Sequence, residues 1–228
     1  MIYFSHRGAN TQRVQNTVDA FALAHEQGAR CFELDVHLLK DGILAVHHDY
    51  SLLSTAGVDV QLKDLTAADL QKYPLKNPFT QTPTYVPLLG EILPLVTPGL
   101  ELLNIELKND DNRYPGLEKT LLNILPAALL PKILFSSFDY LTLQRLRALA
   151  PQARIGQLTR HFNVQETLAL KAESVHINHT RFTPQLVQTC HANGLKIYCY
   201  TVNDKALAVQ LAAQGADGIF TDKIADFL

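Results

Sequence analysis

Short runs rich in β-branched and aromatic residues alternate with helical patterns along the whole 228-residue chain. Several of the helical segments end at a glycine, which is the usual C-terminal stop of a helix. Eight β-α units favour a closed parallel (β/α)8 barrel, a TIM barrel, over an open doubly wound sheet. No glycine-rich dinucleotide or phosphate-loop motif follows any strand. The predicted strands cover residues 2–5, 30–36, 102–107, 132–137, 153–158, 174–178, 196–202 and 218–221.

A predicted β-hairpin in the segment ELDVHLLKDGILAVHHD interrupts this alternation. Its Asp41-Gly42 pair is a strong signal for a two-residue turn between apolar-alternating arms. With that turn, paired positions sum to 83, so Asp35 lies opposite His48. If the pairing of the two arms shifted by one residue, His47 instead of His48 would lie on the same face as Asp35.

The stretch between residues 49 and 100 is rich in proline and carries only short helical patterns. Proline removes a backbone donor and disfavours long regular elements. We therefore expect a short capping insertion after the hairpin, followed by the second barrel helix. No linker or repeat divides the chain, so residues 1–228 are predicted to form a single domain.

Composition excludes several classes of function. The formal net charge of −2 and the pI of about 6.5 argue against binding to nucleic acid or to an anionic membrane. No window reaches the roughly 18 continuous apolar residues of a transmembrane helix, and the N-terminus lacks the features of a signal peptide. Three cysteines without metal-type spacing are typical of reduced thiols. We therefore expect a cytoplasmic protein without stable membrane association.

Polar residues cluster where six of the predicted strands end. In a parallel barrel the carboxyl ends of the strands form one rim, which carries the active sites of barrel enzymes. A single polar strand end would carry no information, but solvent exposure does not explain six at one rim. These ends are Ser5-His6-Arg7-Gly8, Glu33-Leu34-Asp35, Glu106-Leu107-Lys108, Ser136-Ser137-Phe138, Tyr200-Thr201-Val202-Asn203 and Thr221-Asp222.

Three carboxylates, those of Glu33, Asp35 and Glu106, are predicted to converge on neighbouring strands, where they would repel one another. A hard divalent cation removes this repulsion, and oxygen-only ligands favour Mg²⁺ or Ca²⁺ over zinc. The alternative is a buried salt-bridge network without a metal, which is costly for three acids.

Histidines and basic residues surround the same predicted point. His6 and His48, with unperturbed pKa values near 6.5, suit paired general acid and general base roles. Arg7 and Lys108 add positive charge for an anionic substrate oxygen. A divalent metal, two histidines and two cations are typical of phosphoester cleavage by acid-base displacement.

Several further residues are open between a role in the site and an ordinary structural role. Phe138 and Tyr200 lie at strand ends, which favours a pocket wall over core packing. His37 shares the face of the acids, but we interpret it as a solvated residue of the ribbon. His176 is open between the rim and a surface loop, and Asp222 between capping the last helix and serving the site.

The blocks HRG, ELDVHLLKDG, HHD, NIELK, SSF, YTVN and TD occur in this order over nearly the whole chain. Together they resemble the glycerophosphodiester phosphodiesterase family. The resemblance implies hydrolysis of small-molecule glycerophosphodiesters to sn-glycerol 3-phosphate and an alcohol. By it, His6 and His48 are the acid-base pair, Glu33, Asp35 and Glu106 are ligands of a divalent ion, and Arg7 and Lys108 are phosphate contacts.

Three positions depart from the pattern of that family, and one of them, Ile224 in place of the usual proline after the final Thr-Asp, is expected to matter little. Gln15 stands where the family usually has a glutamate, which affects metal affinity or the orientation of Arg7. Tyr200 replaces the usual tryptophan, so we expect the pocket wall and the substrate choice to differ. These departures leave two alternatives open, a lysophospholipase D-like activity through the same chemistry and a non-catalytic ligand-binding barrel.

Overall fold

Eight parallel strands close into a barrel in the computed structural model, which describes residues 1–228. The predicted (β/α)8 fold is therefore confirmed. The first and last strands pair in parallel, with Ile2 opposite Gly218, and this pairing closes the barrel. The strands are β1 (Ile2–His6), β2 (Cys31–Leu38), the hairpin arm β3 (Leu44–Val46), β4 (Leu102–Leu107), β5 (Ile133–Ser137), β6 (Arg154–Leu158), β7 (Ser174–Asn178), β8 (Lys196–Tyr200) and β9 (Gly218–Thr221).

The helices surround the barrel, and polar caps define where several of them begin. The side chains of Asp139, Thr183 and Asp204 each accept a hydrogen bond from a backbone N–H three residues later, which satisfies a donor of the first turn. None of the helices has the length and apolar character that crossing a membrane requires. They are α1 (Val18–Glu26), α2 (Leu53–Ala56), α3 (Ala67–Leu70), α4 (Leu89–Val96), α5 (Leu117–Ile124), α6 (Tyr140–Leu149), α7 (Val164–Ala169), α8 (Pro184–Ala192) and α9 (Lys205–Ala213).

The insertion between β3 and α4 has the short, irregular character that its prolines predict. It contains only α2, α3 and a single 3₁₀ turn at Leu62–Asp64. A small apolar cluster of its own, which includes Leu52, Leu62 and Leu70, buries its inner side. This cluster holds the insertion against the hairpin, because Leu39 and Ala45 of that ribbon belong to the same cluster.

The hairpin register predicted from the sequence is wrong by one residue. Val36 pairs with Val46, so paired positions sum to 82 and not to 83. The turn has three residues, because the N–H of Leu39 bonds to the carbonyl of Ile43 and Gly42 adopts a left-handed φ of 81°. This is the geometry of a type I turn followed by a glycine bulge.

Aromatic side chains fill the amino-terminal part of the barrel interior. The rings of Phe4 and Phe220 stack with centroids 4.6 Å apart, and Tyr198 packs against both. Bulky residues in this layer make the barrel a packed core on that side. The open space therefore lies toward the carboxyl ends of the strands, where the predicted rim residues are found.

Gly8 allows the loop after β1 to pack closely on α1. Its φ is 82°, and a Cβ built there would lie 2.6 Å from the backbone carbon of Ala20. The next residue, Ala9, donates its N–H to the carbonyl of Ala20. This close approach fixes the strand end that carries His6 and Arg7.

Gly8→Ala should destabilise the protein more than Gly42→Ala, as measured by urea unfolding. Both glycines have a left-handed φ, so both substitutions carry a conformational cost of about 1–2 kcal/mol. Only Gly8 adds a backbone clash, because no atom lies within 4 Å of a Cβ at Gly42. Equal losses in the two variants would contradict this account of the β1 loop.

Candidate active site

The three predicted acids lie on two neighbouring strands at the carboxyl rim. Asp35 lies opposite Glu106, and His6 lies opposite Glu33. Residues paired in this way point to the same face of the sheet. Ligand oxygens of Glu33, Asp35 and Glu106 all lie within 4.8 Å of one another. The convergence expected from the strand ends is therefore present in the structure.

The two predicted cations, Arg7 and Lys108, neutralise the buried Asp35 from both sides. Arg7 Nε lies 3.2 Å from Asp35 Oδ2, and Lys108 Nζ lies 3.1 Å from Asp35 Oδ1. Lys108 Nζ also contacts Glu106 Oε1 at 2.6 Å. These contacts partly offset the repulsion between the acids.

Burial and the neighbouring charges separate the pKa values of the three acids. Burial, reinforced by Asp35, raises the pKa of Glu33 well above its usual range. Burial likewise raises the pKa of Glu106 to about 7, although Lys108 opposes this shift. Burial also acts to raise the pKa of Asp35, but Lys108 and Arg7 outweigh it and hold that pKa below its usual value.

The donor set of this cluster fits a hard divalent cation. All three side chains offer only carboxylate oxygens, which suit Mg²⁺ or Ca²⁺ better than softer metals. The buried Oε2 of Glu33 has no hydrogen-bond partner in the protein, so its lone pairs remain available for a ligand. A cation would also stabilise the charged forms of Glu33 and Glu106, which burial disfavours.

His6 is oriented by Asp222, the residue that the sequence left open between a structural and a site role. His6 Nδ1 lies 2.7 Å from Asp222 Oδ1. The same carboxylate accepts hydrogen bonds from the side chains of Asn10 and Asn203. Although burial opposes it, these bonds hold the pKa of Asp222 below its usual value, so the carboxylate is charged. The sequence feature that indicates this role is the position of Asp222, which directly follows β9, the strand that pairs with β1.

His48 has a matching arrangement with the residue that follows it. His48 Nδ1 lies 2.6 Å from Asp49 Oδ1. Because an ionised carboxylate only accepts, this contact and that of His6 with Asp222 place a proton on Nδ1 of both histidines. Nε2 is then the nitrogen left for proton exchange in each ring.

His47 is turned away from this site, even though the observed register places it opposite Asp35. The ladder ends at Val46, and the chain bends from His48 onward. His47 Nδ1 donates to the carbonyl of Asp49, and His47 Nε2 contacts the hydroxyl of Thr55 in the insertion. His48 therefore reaches the site by leaving the ribbon and not through the pairing that we predicted.

His37 and His176 are buried, which corrects the interpretation of His37 as a solvated residue and the surface-loop alternative for His176. Both side chains have no exposed surface, and burial lowers the pKa of each to about 3. His37 Nε2 lies 3.4 Å from the carbonyl of His48, and its Nδ1 lies 2.8 Å from the hydroxyl of Tyr114. His37 thus supports the loop that carries His48.

Asn16 is a further contact that the sequence analysis did not single out. Its side-chain amide donates to Asp35 Oδ2 at 2.8 Å. The residue has a left-handed φ of 57°, a conformation that asparagine tolerates better than most residues. Beside it, the amide oxygen of Gln15 accepts a hydrogen bond from Arg7 Nη1 at 2.8 Å. A glutamine can therefore hold Arg7 at the position where a glutamate was expected.

A cavity of about 190 Å³ opens between these groups at the rim. Phe138 and Tyr200 form part of its wall, with their rings edge-to-face and centroids 6.1 Å apart. A wider cleft of about 640 Å³ adjoins it and shares His48, Glu106 and Phe138. The cavity is lined by His6, Arg7, Glu33, His48, Asn104, Glu106, Phe138, Leu158, His176, Tyr200, Thr201 and Phe220.

Comparison with known proteins agrees with this geometry. A model of the Glycerophosphoryl diester phosphodiesterase family matches residues 6–226. A glycerophosphodiester phosphodiesterase of Caldanaerobacter subterraneus is 32% identical over 97% of this chain and 93% of its own length. One from Bacillus altitudinis is 36% identical over 96% and 93%, respectively. An Oleispira antarctica phosphodiesterase, solved in complex with the product sn-glycerol-3-phosphate, superimposes with a TM-score of 0.87 at 29% identity, covering 99% of this chain and 94% of that one.

The chain therefore belongs to the glycerophosphodiester phosphodiesterase family. The resemblance seen in the short sequence blocks and the prediction of an enzyme of this class are both confirmed. The roles of individual residues and the identity of the metal stay predictions.

The difference in melting temperature between cation-loaded and chelator-treated protein should widen as the pH rises from about 4.5, the usual pKa of a glutamate, to about 7, the pKa of Glu106 in the folded protein. The pKa of Glu106 is raised in the folded protein, so the metal-free protein is stabilised by the neutral acid at low pH and loses that stability as Glu106 ionises. A bound cation offsets this loss. Glu106→Gln should reduce this pH dependence, with Glu33 as the remaining acid whose pKa is raised, whereas an unchanged pH dependence in that variant would contradict the assignment.

Proposed function

We propose that this protein hydrolyses glycerophosphodiesters to sn-glycerol 3-phosphate and an alcohol, with residues 1–228 acting as one catalytic unit. The observation that carries the proposal is a single cavity in which His6 and His48, each bonded to a carboxylate through Nδ1, adjoin a cluster of three acids. The product complex of the related Oleispira antarctica phosphodiesterase supports this choice of product.

Glu33, Asp35 and Glu106 would hold Mg²⁺ or Ca²⁺, which neutralises charge on the phosphate when bound. Arg7 lines the cavity and binds a phosphate oxygen. Lys108 lines the adjoining cleft and supplies the second cationic contact. This cationic environment stabilises the negative charge that develops on the phosphoryl oxygens during displacement.

His6 and His48 exchange the protons of the reaction through Nε2. One histidine removes the proton from the attacking hydroxyl, which belongs either to water or to the substrate itself. The other donates a proton to the oxygen of the leaving alcohol. Attack by a substrate hydroxyl gives a cyclic phosphate, and a water molecule then opens that ring to give sn-glycerol 3-phosphate. Asp222 and Asp49 keep each ring in the required tautomer and orientation. Phe138 and Tyr200 provide the wall against the carbon skeleton of the substrate.

A lysophospholipid is the second candidate substrate, by the same chemistry. Leu53 of the insertion lines the wide cleft beside the site, and 53% of its surface is exposed. An exposed leucine at that place could contact an acyl chain. A water-soluble diester remains the first choice, because most residues that line the cleft are polar or charged.

A cytoplasmic location stays a prediction. Cys31, Cys190 and Cys199 are free and buried, which suits a reducing compartment. Burial raises the pKa of each of these thiols, so none has the character of a reactive thiolate.

Release of sn-glycerol 3-phosphate from a panel of glycerophosphodiesters and lysophospholipids tests the proposal directly. We expect turnover with Mg²⁺ or Ca²⁺ and its reversible loss with a chelator. His6→Ala and His48→Ala should each reduce kcat by at least about 100-fold. The matched control is His191→Ala, because His191 is also bonded to an aspartate, Asp217, but does not line the site.

Each outcome of this experiment separates the alternatives. Full activity in the presence of chelator would contradict the metal assignment, and near-normal turnover in a histidine variant would remove that histidine from the mechanism. Preference for lysophospholipids would favour the second candidate. Binding of diesters without turnover would identify a non-catalytic barrel, with Gln15 as the first position to change.

Replacing the aspartate partner of each histidine should assign the acid and the base. Burial lowers the pKa of both His6 and His48. The hydrogen bond with Asp222 acts to raise the pKa of His6, and the hydrogen bond with Asp49 acts to raise the pKa of His48. Asp222→Asn should therefore move one limb of the pH profile of kcat/KM to lower pH, and Asp49→Asn should move the other limb. The histidine whose variant moves the acidic limb is the base. A shift of the same limb in both variants would contradict separate roles.

A further inference from the structure

Two polar side chains, Asn104 and His176, line the inner part of the cavity and are here called the polar floor. Asn104 precedes the metal-ligand candidate Glu106 by two residues, which is about 7 Å along β4 towards its amino end, and it lies opposite Glu33 of β2. His176 lies on β7, two residues before the carboxyl end of that strand. The exposed fractions of the two side chains are 1% and 0%.

Each member of the polar floor has one polar atom without a partner. Asn104 Nδ2 donates to Ser136 Oγ at 2.9 Å, but Asn104 Oδ1 accepts no hydrogen bond. His176 Nε2 lies 2.9 Å from Ser174 Oγ, but His176 Nδ1 has no partner. Leaving such buried groups unsatisfied costs about 1–3 kcal/mol each. Buried polar atoms at a cavity therefore indicate a polar ligand at this depth.

The barrel is shaped to admit the imidazole of His176. A Cβ at Gly156 would lie 2.3 Å from His176 Nε2, so only glycine leaves room for the ring on the neighbouring strand. His176 is also in ring contact with Tyr198 and Phe220, with centroids 5.2 Å and 5.1 Å apart. Branched apolar residues usually fill the interior of such barrels. A polar side chain in this position is therefore unusual and indicates that a ligand binds beside it.

The chemistry of the polar floor suits an alcohol better than an anion. Burial lowers the pKa of His176 to about 3, so the ring is neutral and offers one donor and one acceptor. The free Asn104 Oδ1 can only accept. A hydroxyl can donate its proton to Asn104 Oδ1 and accept a second hydrogen bond from Nδ1–H of His176, in the tautomer in which Ser174 Oγ donates to Nε2. A phosphate oxygen would be repelled by the lone pairs of the amide oxygen, and neither member of the polar floor carries a positive charge that would offset this repulsion.

We propose that Asn104 and His176 bind the terminal C1 hydroxyl of the glycerol moiety and thereby select glycerol diesters over diesters of simpler alcohols. This inference rests on the proposed function, because it concerns the substrate of the same site. Leu158, Phe138 and Phe220 provide the apolar surface around the carbon atoms. A site that bonds a hydroxyl discriminates strongly against an analogue that lacks it, because its own polar atoms are then left unpaired.

The first test uses the unmodified protein, the divalent cation and two substrates. One is sn-glycerol 3-phosphoethanolamine, and the other is its 2-hydroxypropyl analogue, which keeps the C2 hydroxyl but lacks the C1 hydroxyl. We expect kcat/KM to be at least about 100-fold higher for the glycerol diester. Comparable values would overturn this inference and leave the proposed function standing. Failure to hydrolyse either substrate would overturn the proposed function and this inference with it.

Variants then locate the source of the selectivity. In Asn104→Leu and His176→Phe, the preference for the glycerol diester should fall at least about tenfold, chiefly through slower turnover of that substrate and not of the analogue. Tyr198→Phe is the matched control: it removes a buried hydroxyl without a partner from the same barrel interior, but Tyr198 does not line the cavity. The Tyr198→Phe variant should prefer the glycerol diester as strongly as the unmodified protein does.

If Asn104→Leu and His176→Phe fold and keep the full preference for the glycerol diester, the inference is overturned. It is also overturned if Tyr198→Phe loses as much of that preference as those two variants do. Circular dichroism checks that each variant is folded. The comparison of two substrates on the unmodified protein decides the question even where a variant does not fold.

Discussion

Three buried carboxylates on neighbouring strands impose the constraint on which the rest of this rim depends. Sheet register places Asp35 beside Glu106, and burial makes the joint ionisation of such acids unfavourable. Arg7 and Lys108 offset that cost by contacting Asp35 from two sides. Arg7 does so from a left-handed backbone position with a φ of 60°, and the following Gly8 packs tightly against α1. The charge balance and the backbone geometry of the loop after β1 are therefore linked.

The two histidines depend on different parts of the chain for their orientation. Asp49 directly follows His48, so that pair forms within one bend of the chain. Asp222 follows the last strand, and only closure of the barrel by pairing of β1 with β9 brings it to His6. Loss of the last strand would disconnect His6 from its carboxylate and open the barrel at the same time. The proposed catalytic geometry and closure of the fold thus share one interface.

The interior of the barrel changes character along its axis. Phe4 and Phe220 close the amino-terminal part with stacked rings, whereas Asn104 and His176 introduce polar atoms above them. The carboxylates and histidines follow at the rim. This order places an apolar base, a layer suited to a hydroxyl and a charged layer suited to a phosphate in sequence. A glycerol phosphate bound as proposed would place its terminal hydroxyl in the polar layer and its phosphate in the charged layer.

The sequence by itself determined the eight strands, the helices between them and the identity of the residues at the rim. These features follow from local periodicity, turn residues and the rule that parallel strands share one carboxyl end. Only the tertiary structure decided the hairpin register, the burial of His37 and His176, and the pairing of Asp222 with His6. The register changed because Gly42 supports a three-residue turn, a choice that local sequence preference does not settle. The burial and pairing depend on contacts between segments far apart in the chain, and those contacts exist only once the barrel has closed.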